Sequence, residues 1–416
     1  MFWGPIRLAG GARVAEVHGL MSAFSRLSPV KLTNLALTPI FSPVETGRID
    51  RSILLQMLHE ASRDPDQANI FMRLSILFYA LDQLDLGREM LARALEHRRI
   101  YRYRCAQPAK IRLLAIMGPA GGLDNAPIEY LLENSDIQMD LVFIDEDGRL
   151  PDVVPDHDVA IVALGESWKL HSQFQTLIAI SAVWPRHIIN QPEFVLNCSR
   201  DTLCQILSGV SQLVVPQTQR VQRNSIILGA FPKIIRPVDT HGGDGMAKVD
   251  NKEALQKYMQ DSDAAEFYVS NFIDYRSSDG LFRKLRIALI DGEPYICHLA
   301  ITEDWIVHFI PAGMELSGAK RAEEKKLMET FDDDFLVRHK KTLKEINARI
   351  GLDYVVLDCA VLRDGSLLLF EADSRAWIHS VDSVDVFPYK PAIMQKAFDA
   401  FRAMLLSRMS GGQRAS

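Results

Sequence analysis

Residues 354–375 read YVVLDCAVLRDGSLLLFEADSR. An apolar run holding one acid, Asp358, meets a polar turn at Arg363-Asp364-Gly365 and a second apolar run that ends on Glu371-Ala372-Asp373. Apolar runs on either side of an Asp-Gly turn predict two antiparallel strands, over 354–360 and 367–370. The turn brings Asp358 near Glu371, and the two-residue repeat of a strand puts Glu371 and Asp373 on one face. Three carboxylates converging at the ends of apolar strands repel strongly unless cations neutralise them. Carboxylate oxygens that share a cation with phosphate oxygens suit Mg2+, so Asp358, Glu371 and Asp373 are the candidate metal ligands. Arg375 follows at once, with His379 beyond it.

Upstream, residues 282–290 (FRKLRIALI) predict a strand with Lys284 and Arg286 on one face. Two cations side by side are costly without an anion between them, and a triphosphate would supply it. Before that, 267–273 (FYVSNFI) is a strand leading into an acidic loop over 274–279. Residues 231–237 (FPKIIRP) form a strand ending in an Arg-Pro pair, 241–245 (HGGDG) a glycine loop, and 246–249 a second strand. Strand, glycine loop and strand make a hairpin lid whose backbone N–H groups can approach an anion. A helix is expected over 198–207. His298, His308 and His379 are expected as packed histidines, with a substrate or phosphate role as the alternative. Residues 322–335 are expected to be a solvated loop or helix.

Between 110 and 190 short apolar runs alternate with helical stretches. Strands are expected over 111–117, 139–144, 158–164 and 187–190, with helices over 125–134 and 171–183. This alternation implies a parallel, doubly wound sheet. The loop GPAGGLDN after the first strand does not fit GxGxxG, so no nicotinamide or flavin site is expected. Between 50 and 99 apolar residues recur at three- and four-residue spacing in three helices, with Asp64 and Asp85 as candidate caps of the second and third. The module weakly resembles a tetratricopeptide-like helix pair plus one. Packing against the main body is the first expectation for it and docking of a peptide or protein partner the second. Arg88, Arg93, Arg98, Arg99, Arg102 and Arg104 are read as a solvated helix face. Residues 1–45 are expected to be a loosely ordered leader without the features of a signal peptide, and Met21 is a second candidate start.

The length of 416 residues implies two to four domains. A net charge of −6 argues against a dedicated nucleic-acid binder. No apolar run reaches the roughly 18 residues of a membrane span. The five cysteines lie far apart with no CxxC pair, so a reducing cytoplasm is the expected compartment.

The ordered set of helix, strand with Arg-Pro, glycine loop, hinge strand, KxR strand and D…ExD resembles an ATP-grasp ligase, of the broad type that includes glutathione synthetase and the ribosomal-protein glutamate ligase. The resemblance implies an α/β (α+β) chain. A poorly ordered leader (1–45) and a helical module (46–105) come first. A doubly wound pre-ATP-grasp domain (106–190), an ATP-grasp domain (191–405) and a flexible tail (406–416) follow. It implies ATP and two Mg2+ ions as cofactors, with the metal on Asp358, Glu371 and Asp373. Asp373 stands where the family usually has asparagine. The family's phosphate lysine falls on Arg236, its flexible loop on His241, Gly242, Gly243, Asp244 and Gly245, and its adenine hinge on Asn271, Phe272 and Ile273. Asp274 or Asp279 would take the ribose. Arg286, with Lys284 beside it, would act on the triphosphate, and Arg375 on an acyl-phosphate or a substrate carboxylate. The implied reaction joins a small-molecule or peptide carboxylate to an amine. Transfer of phosphate to a hydroxyl, or a silent nucleotide-binding adaptor, are the alternatives.

Overall fold

The computed structural model describes residues 66–80, 83–103, 105–119, 121, 124–226, 229–240, 242–307, 312–380 and 382–410. The expected leader and first helix, the cap at Asp64, Arg104, His241 and His308 lie outside them.

Two helices come first, α1 (Gln67–Ala80) and α2 (Leu84–His97). Asp66 accepts the N–H of Ala68 at 3.0 Å and so begins α1. Asp85 does not cap α2. It lies inside the first turn and pairs with Arg88 at 2.8 Å, and Gln83 stands at the cap. The helices close tightly because a Cβ at Gly87 would already stand 3.0 Å from the Tyr79 ring. Ala68, Met72, Leu77, Leu91 and Ala94 share one buried core with the sheets that follow, so the pair is packed onto the body. The arginine cluster divides into separate pairs: Arg93 with Glu89 at 2.7 Å, Arg98 with Asp66 at 2.7 Å, Arg99 with Asp145 at 3.4 Å and Arg102 with Asp140 at 2.7 Å. Part of the run is not helical. Ile100–Tyr103 is a strand, β1, with Tyr101 and Tyr103 buried and Arg102 exposed, a two-residue alternation that counting charges conceals.

The first sheet adds β2 (Ile111–Met117), β3 (Ile137–Phe143), β4 (Val159–Val162) and β5 (Ile188–Ile189) in the order β1-β3-β2-β4-β5. β2 to β5 are parallel and β1 is an antiparallel edge. α3 (His171–Ser181) lies between β4 and β5 in the chain. The helix expected over 125–134 is only a 3-10 turn, Ile128–Leu132, following Pro127. Asn134, with a positive φ, lies beyond its end.

Next come α4 (Arg200–Ile206), β6 (Leu213–Val214), β7 (Thr218–Gln222), β8 (Lys233–Pro237), β9 (Ala247–Val249), α5 (Lys252–Asp261) and β10 (Glu266–Asn271). β7, β10, β8 and β9 make an antiparallel sheet with its own small core of Ile235, Val249, Phe267 and Val269. The third sheet contains β11 (Phe282–Ile290), β12 (Glu293–Thr302), β13 (Tyr354–Val361) and β14 (Leu367–Asp373) in the order β12-β11-β13-β14-β6. Between β12 and β13 run α6 (Gly318–Glu329), a π-helical turn at Phe331–Phe335 and α7 (Leu336–Ile350). The segment 322–335 is therefore ordered, and Glu324 within it is wholly buried. α8 (Lys390–Ser410) continues into the expected tail and clamps the first sheet to the third, with Arg402 held on both oxygens of Asp136 at 2.7 Å. Among the described residues no helix is long and apolar enough to cross a membrane.

Deleting residues 1–104 removes α1, α2 and β1. It uncovers core that Leu77, Leu91, Ala94 and Tyr101 now bury. One fully buried side chain contributes about 1.5–3 kcal/mol, so the truncated chain is expected to lose several times that. Thermal unfolding checks this, and an unchanged Tm would make the helices a separate appendage.

Candidate functional site

The hairpin predicted from residues 354–375 forms, and its register is the key to the site. Arg286 on β11 pairs with Asp358 on β13, which pairs with Glu371 on β14, and Arg286 also lies opposite His298 on β12. One row across the sheet thus reads His298, Arg286, Asp358, Glu371. A bulge follows Asp358 on one side and Arg286 on the other, as strands often show where they re-aim side chains.

The acids are not left to repel one another, because each has its own cation. Asp358 is 2% exposed. Its Oδ1 accepts Arg286 Nε at 2.8 Å, and its Oδ2 accepts Arg286 Nη2 at 3.1 Å and Lys284 Nζ at 3.0 Å. Burial raises the proton affinity of this carboxyl, but Arg286 and Lys284 outweigh burial and hold it well below the usual carboxylate range. Glu371 Oε2 is held by Arg200, whose Nη1 also donates to the Phe370 carbonyl at 3.3 Å. Against its burial, Arg200 leads the charges that bring Glu371 down to about 2. Asp373 Oδ1 accepts the backbone N–H of Arg375 at 2.8 Å and its Nε at 3.2 Å. The anion that Lys284 and Arg286 require is therefore Asp358, and the cations that the acids require are arginines and a lysine.

Arg236 is different. It is 7% exposed, and its Nη2 donates to the carbonyl and hydroxyl of Thr240. Its Nε is buried without a hydrogen-bond partner, and among the described residues no carboxylate pairs with it. Burial, and then Arg200 beside it, push it down to about 9.

A cavity of about 30 Å³ is lined by residues from all three sheets. Arg200, Glu371, Asp373 and Arg375 form one side, and Glu166, at the end of β4, another. Asp239 and Thr240, after β8, complete it with Cys198 and Tyr268. Arg375 lies across Gly165, where a Cβ would fall 1.7 Å from its side chain, so only glycine admits this approach. Asp239 also accepts the N–H of Trp168 at 3.0 Å, and Arg220 stacks 3.9 Å above the Trp168 ring. These contacts fasten Trp168, in the loop after β4, to β7 and to the loop after β8.

Other expected residues lie apart. Gly242, Gly243 and Gly245 have positive φ, as a glycine loop requires, but they do not line the cavity. Arg286, Lys284 and Asp358 do not line it either, and Arg236 meets it only through Thr240, which its Nη2 bonds. Asn271 bonds Lys233 at 2.6 Å, and Phe272 gives its N–H to the Pro232 carbonyl at 3.2 Å. The Phe272 N–H is thus engaged within the protein and not open to an adenine; Ile273 follows it outside the strand. Asp274 pairs with Arg276, and Asp279 with Arg283. His298 is half-buried opposite Arg286, and desolvation followed by the Arg286 charge lowers its proton affinity well below the ordinary value.

The sequence reading missed Arg200, Glu166 and Asp239. Arg200 opens α4 after Ser199, a position that reads as an ordinary helix start. Glu166 carries a second consequence. Burial raises its pKa from 4.5 to about 7, with Arg375 opposing. The folded chain then keeps a proton that the unfolded chain loses near 4.5, so this group's contribution to stability falls as pH rises from about 4.5 to about 7. Urea unfolding at about pH 5 and about pH 8 should show that fall in the parent chain, and a flatter profile in Glu166→Gln. Equal slopes would mean that Glu166 is ionised throughout.

No family model and no curated protein matches the chain. Among solved structures it shows a likeness to a D-alanine–D-alanine ligase from Bacillus anthracis complexed with ATP. That match is 13% identical with a TM-score of 0.45, and covers 74% of this chain and 99% of that one. VanG D-Ala:D-Ser ligase from Enterococcus faecalis is 12% identical with a TM-score of 0.43, over 72% of this chain and 100% of that one. The D-alanine–D-alanine ligase from Coxiella burnetii is 10% identical with a TM-score of 0.45, over 73% and 96%. At these values the likeness assigns no residue a role and no substrate to this chain.

Proposed function

We propose that the chain is an ATP-dependent carboxylate–amine ligase of the ATP-grasp type. The observation that carries this reading is Arg236. It is a buried guanidinium with an unsatisfied N–H and no carboxylate of its own, beside a second arginine. Arg200, Lys284 and Arg286 each have a carboxylate, on Glu371 or Asp358, and Arg236 has none among the described residues. A buried guanidinium without a carboxylate calls for an anion, and a nucleotide's phosphates are such an anion. The resemblance of the ordered motifs to an ATP-grasp ligase supports ATP as the nucleotide.

In this reading Arg200 and Arg236 hold the phosphate tail, with Lys284 and Arg286 behind them. A substrate carboxylate oxygen attacks the γ-phosphorus, the bond to the β-bridging oxygen breaks, and ADP leaves. Arg375, on the cavity wall, holds the acyl-phosphate. An amine nitrogen then attacks the acyl carbon, phosphate departs, the nitrogen gives up a proton and an amide remains. Exclusion of water from the cavity would protect the acyl-phosphate from hydrolysis.

Mg2+ is the cation that the family resemblance implies. Glu371 Oε1 and Asp373 Oδ2 accept no bond among the described residues, and both residues line the cavity. No three His, Cys, Asp or Glu side chains there are arranged to hold a metal ion. Two carboxylates fit a hard cation that completes its shell with phosphate oxygens and water. When bound it would neutralise charge on the phosphates. The five cysteines are unpaired, which suits the cytoplasm, and small-molecule or peptide carboxylates and amines are the substrates.

The test is ADP release by the purified chain against panels of amino acids and peptides, with mass spectrometry of the product. An amide is the expected product. A phosphorylated hydroxyl would make the chain a phosphotransferase, and no ADP with any acceptor would leave a nucleotide-binding adaptor.

A further inference from the structure

We propose that Asp358 is the counter-ion of Lys284 and Arg286 rather than a metal ligand, and that the site takes one divalent cation, between Glu371 and Asp373, instead of two. The inference rests on the nucleotide reading above and refines it.

The three acids that look equivalent in the sequence differ in what is left of each. Both oxygens of Asp358 are engaged, by three contacts of 2.8 to 3.1 Å from two cations. Arg286 is anchored from its far side as well, with Nη1 donating to the Trp377 carbonyl at 3.2 Å. For Asp358 to turn to a metal, Arg286 and Lys284 would have to give up the one carboxylate they pair with among the described residues, and an unpaired charge inside the protein is costly. At 2% exposure Asp358 also has no face toward the cavity. Glu371 and Asp373 are the reverse case. Each keeps one oxygen without a bond among the described residues, the two share a strand face, and both line the cavity. Two protein oxygens complemented by phosphate oxygens and water make one site for a hard cation.

Acting through other residues, Asp358 is a positioning residue, and its loss has a signed signature. Asp358→Asn frees two cations behind the phosphate site. It is expected to tighten binding of metal-free ADP in EDTA by about threefold to tenfold, whereas damage to the fold would weaken it.

The experiment titrates Mn2+ into the full chain with a non-hydrolysable ATP analogue and counts bound Mn2+ by electron paramagnetic resonance. Calorimetry of ADP in EDTA runs beside it. One Mn2+ per chain is expected. Asp358→Asn should retain Mn2+ affinity within about threefold, and Glu371→Gln should lose at least about tenfold. Two Mn2+ per chain, or an Asp358→Asn loss equal to that of Glu371→Gln, would overturn this inference alone. If the asparagine variant does not fold, the wild-type count and Glu371→Gln still decide. A parent chain that binds no nucleotide with Mn2+ or in EDTA overturns the nucleotide reading and this inference together.

Discussion

Arg236→Ala is expected to weaken nucleotide binding by about tenfold to a hundredfold, while Arg236→Lys keeps most of the affinity. A hydrogen bond to a charged group contributes about 1.5–3 kcal/mol, and each 1.4 kcal/mol is about tenfold in Kd. The structure gives a reason to place the effect at the upper end. Arg236 is buried, its Nε has no partner, and Arg200 already disfavours its charge. A phosphate would relieve both costs at once. The same feature predicts the sign of the stability change without nucleotide. Alanine removes a charge that burial penalises, so the free protein should lose little and could gain. Calorimetric titration with a non-hydrolysable ATP analogue, and thermal unfolding with and without it, check the two halves. Equal nucleotide affinity in parent and alanine variant would put the phosphates elsewhere.

Arg286→Ala should act the other way, on the fold itself. Asp358 lies in the core with Arg286 on both its oxygens. Removing one partner of a buried pair typically costs about 3–5 kcal/mol, because the other charge is left behind. Lys284 remains within 3.0 Å of Asp358 and softens the loss, which favours the lower end. Urea unfolding measures it. The double variant Asp358→Asn with Arg286→Ala should be more stable than Arg286→Ala alone, since no uncompensated carboxylate then remains. Were Arg286→Ala as stable as the parent, water would have to reach Asp358 in solution, and the closed row across the third sheet would not hold.

The hairpin of 354–375, the KxR strand and the strand over 111–117 were legible because each is an apolar run bounded by a turn, with a period that needs no partner to be read. The same periodicity placed Asp358 opposite Glu371 and put Lys284 beside Arg286. Helix and strand limits failed where local chemistry was mixed. The run at 100–103 hid a strand among arginines, and the helix expected over 125–134 is a single 3-10 turn after Pro127.

What the sequence by itself determined is that charged side chains of both signs sit at the ends of apolar strands in the second half of the chain, and that each set requires counter-charges. It could not say which counter-charges. Pairing of β11 with β13 brings Arg286 to Asp358, and the start of α4 brings Arg200 to Glu371 across 171 positions. Such partners are separated by lengths over which no spacing rule operates, so only the tertiary structure could assign them. It also decided that Arg236 alone of these arginines is left without a carboxylate, because its place depends on three elements packing together and not on its neighbours in the chain.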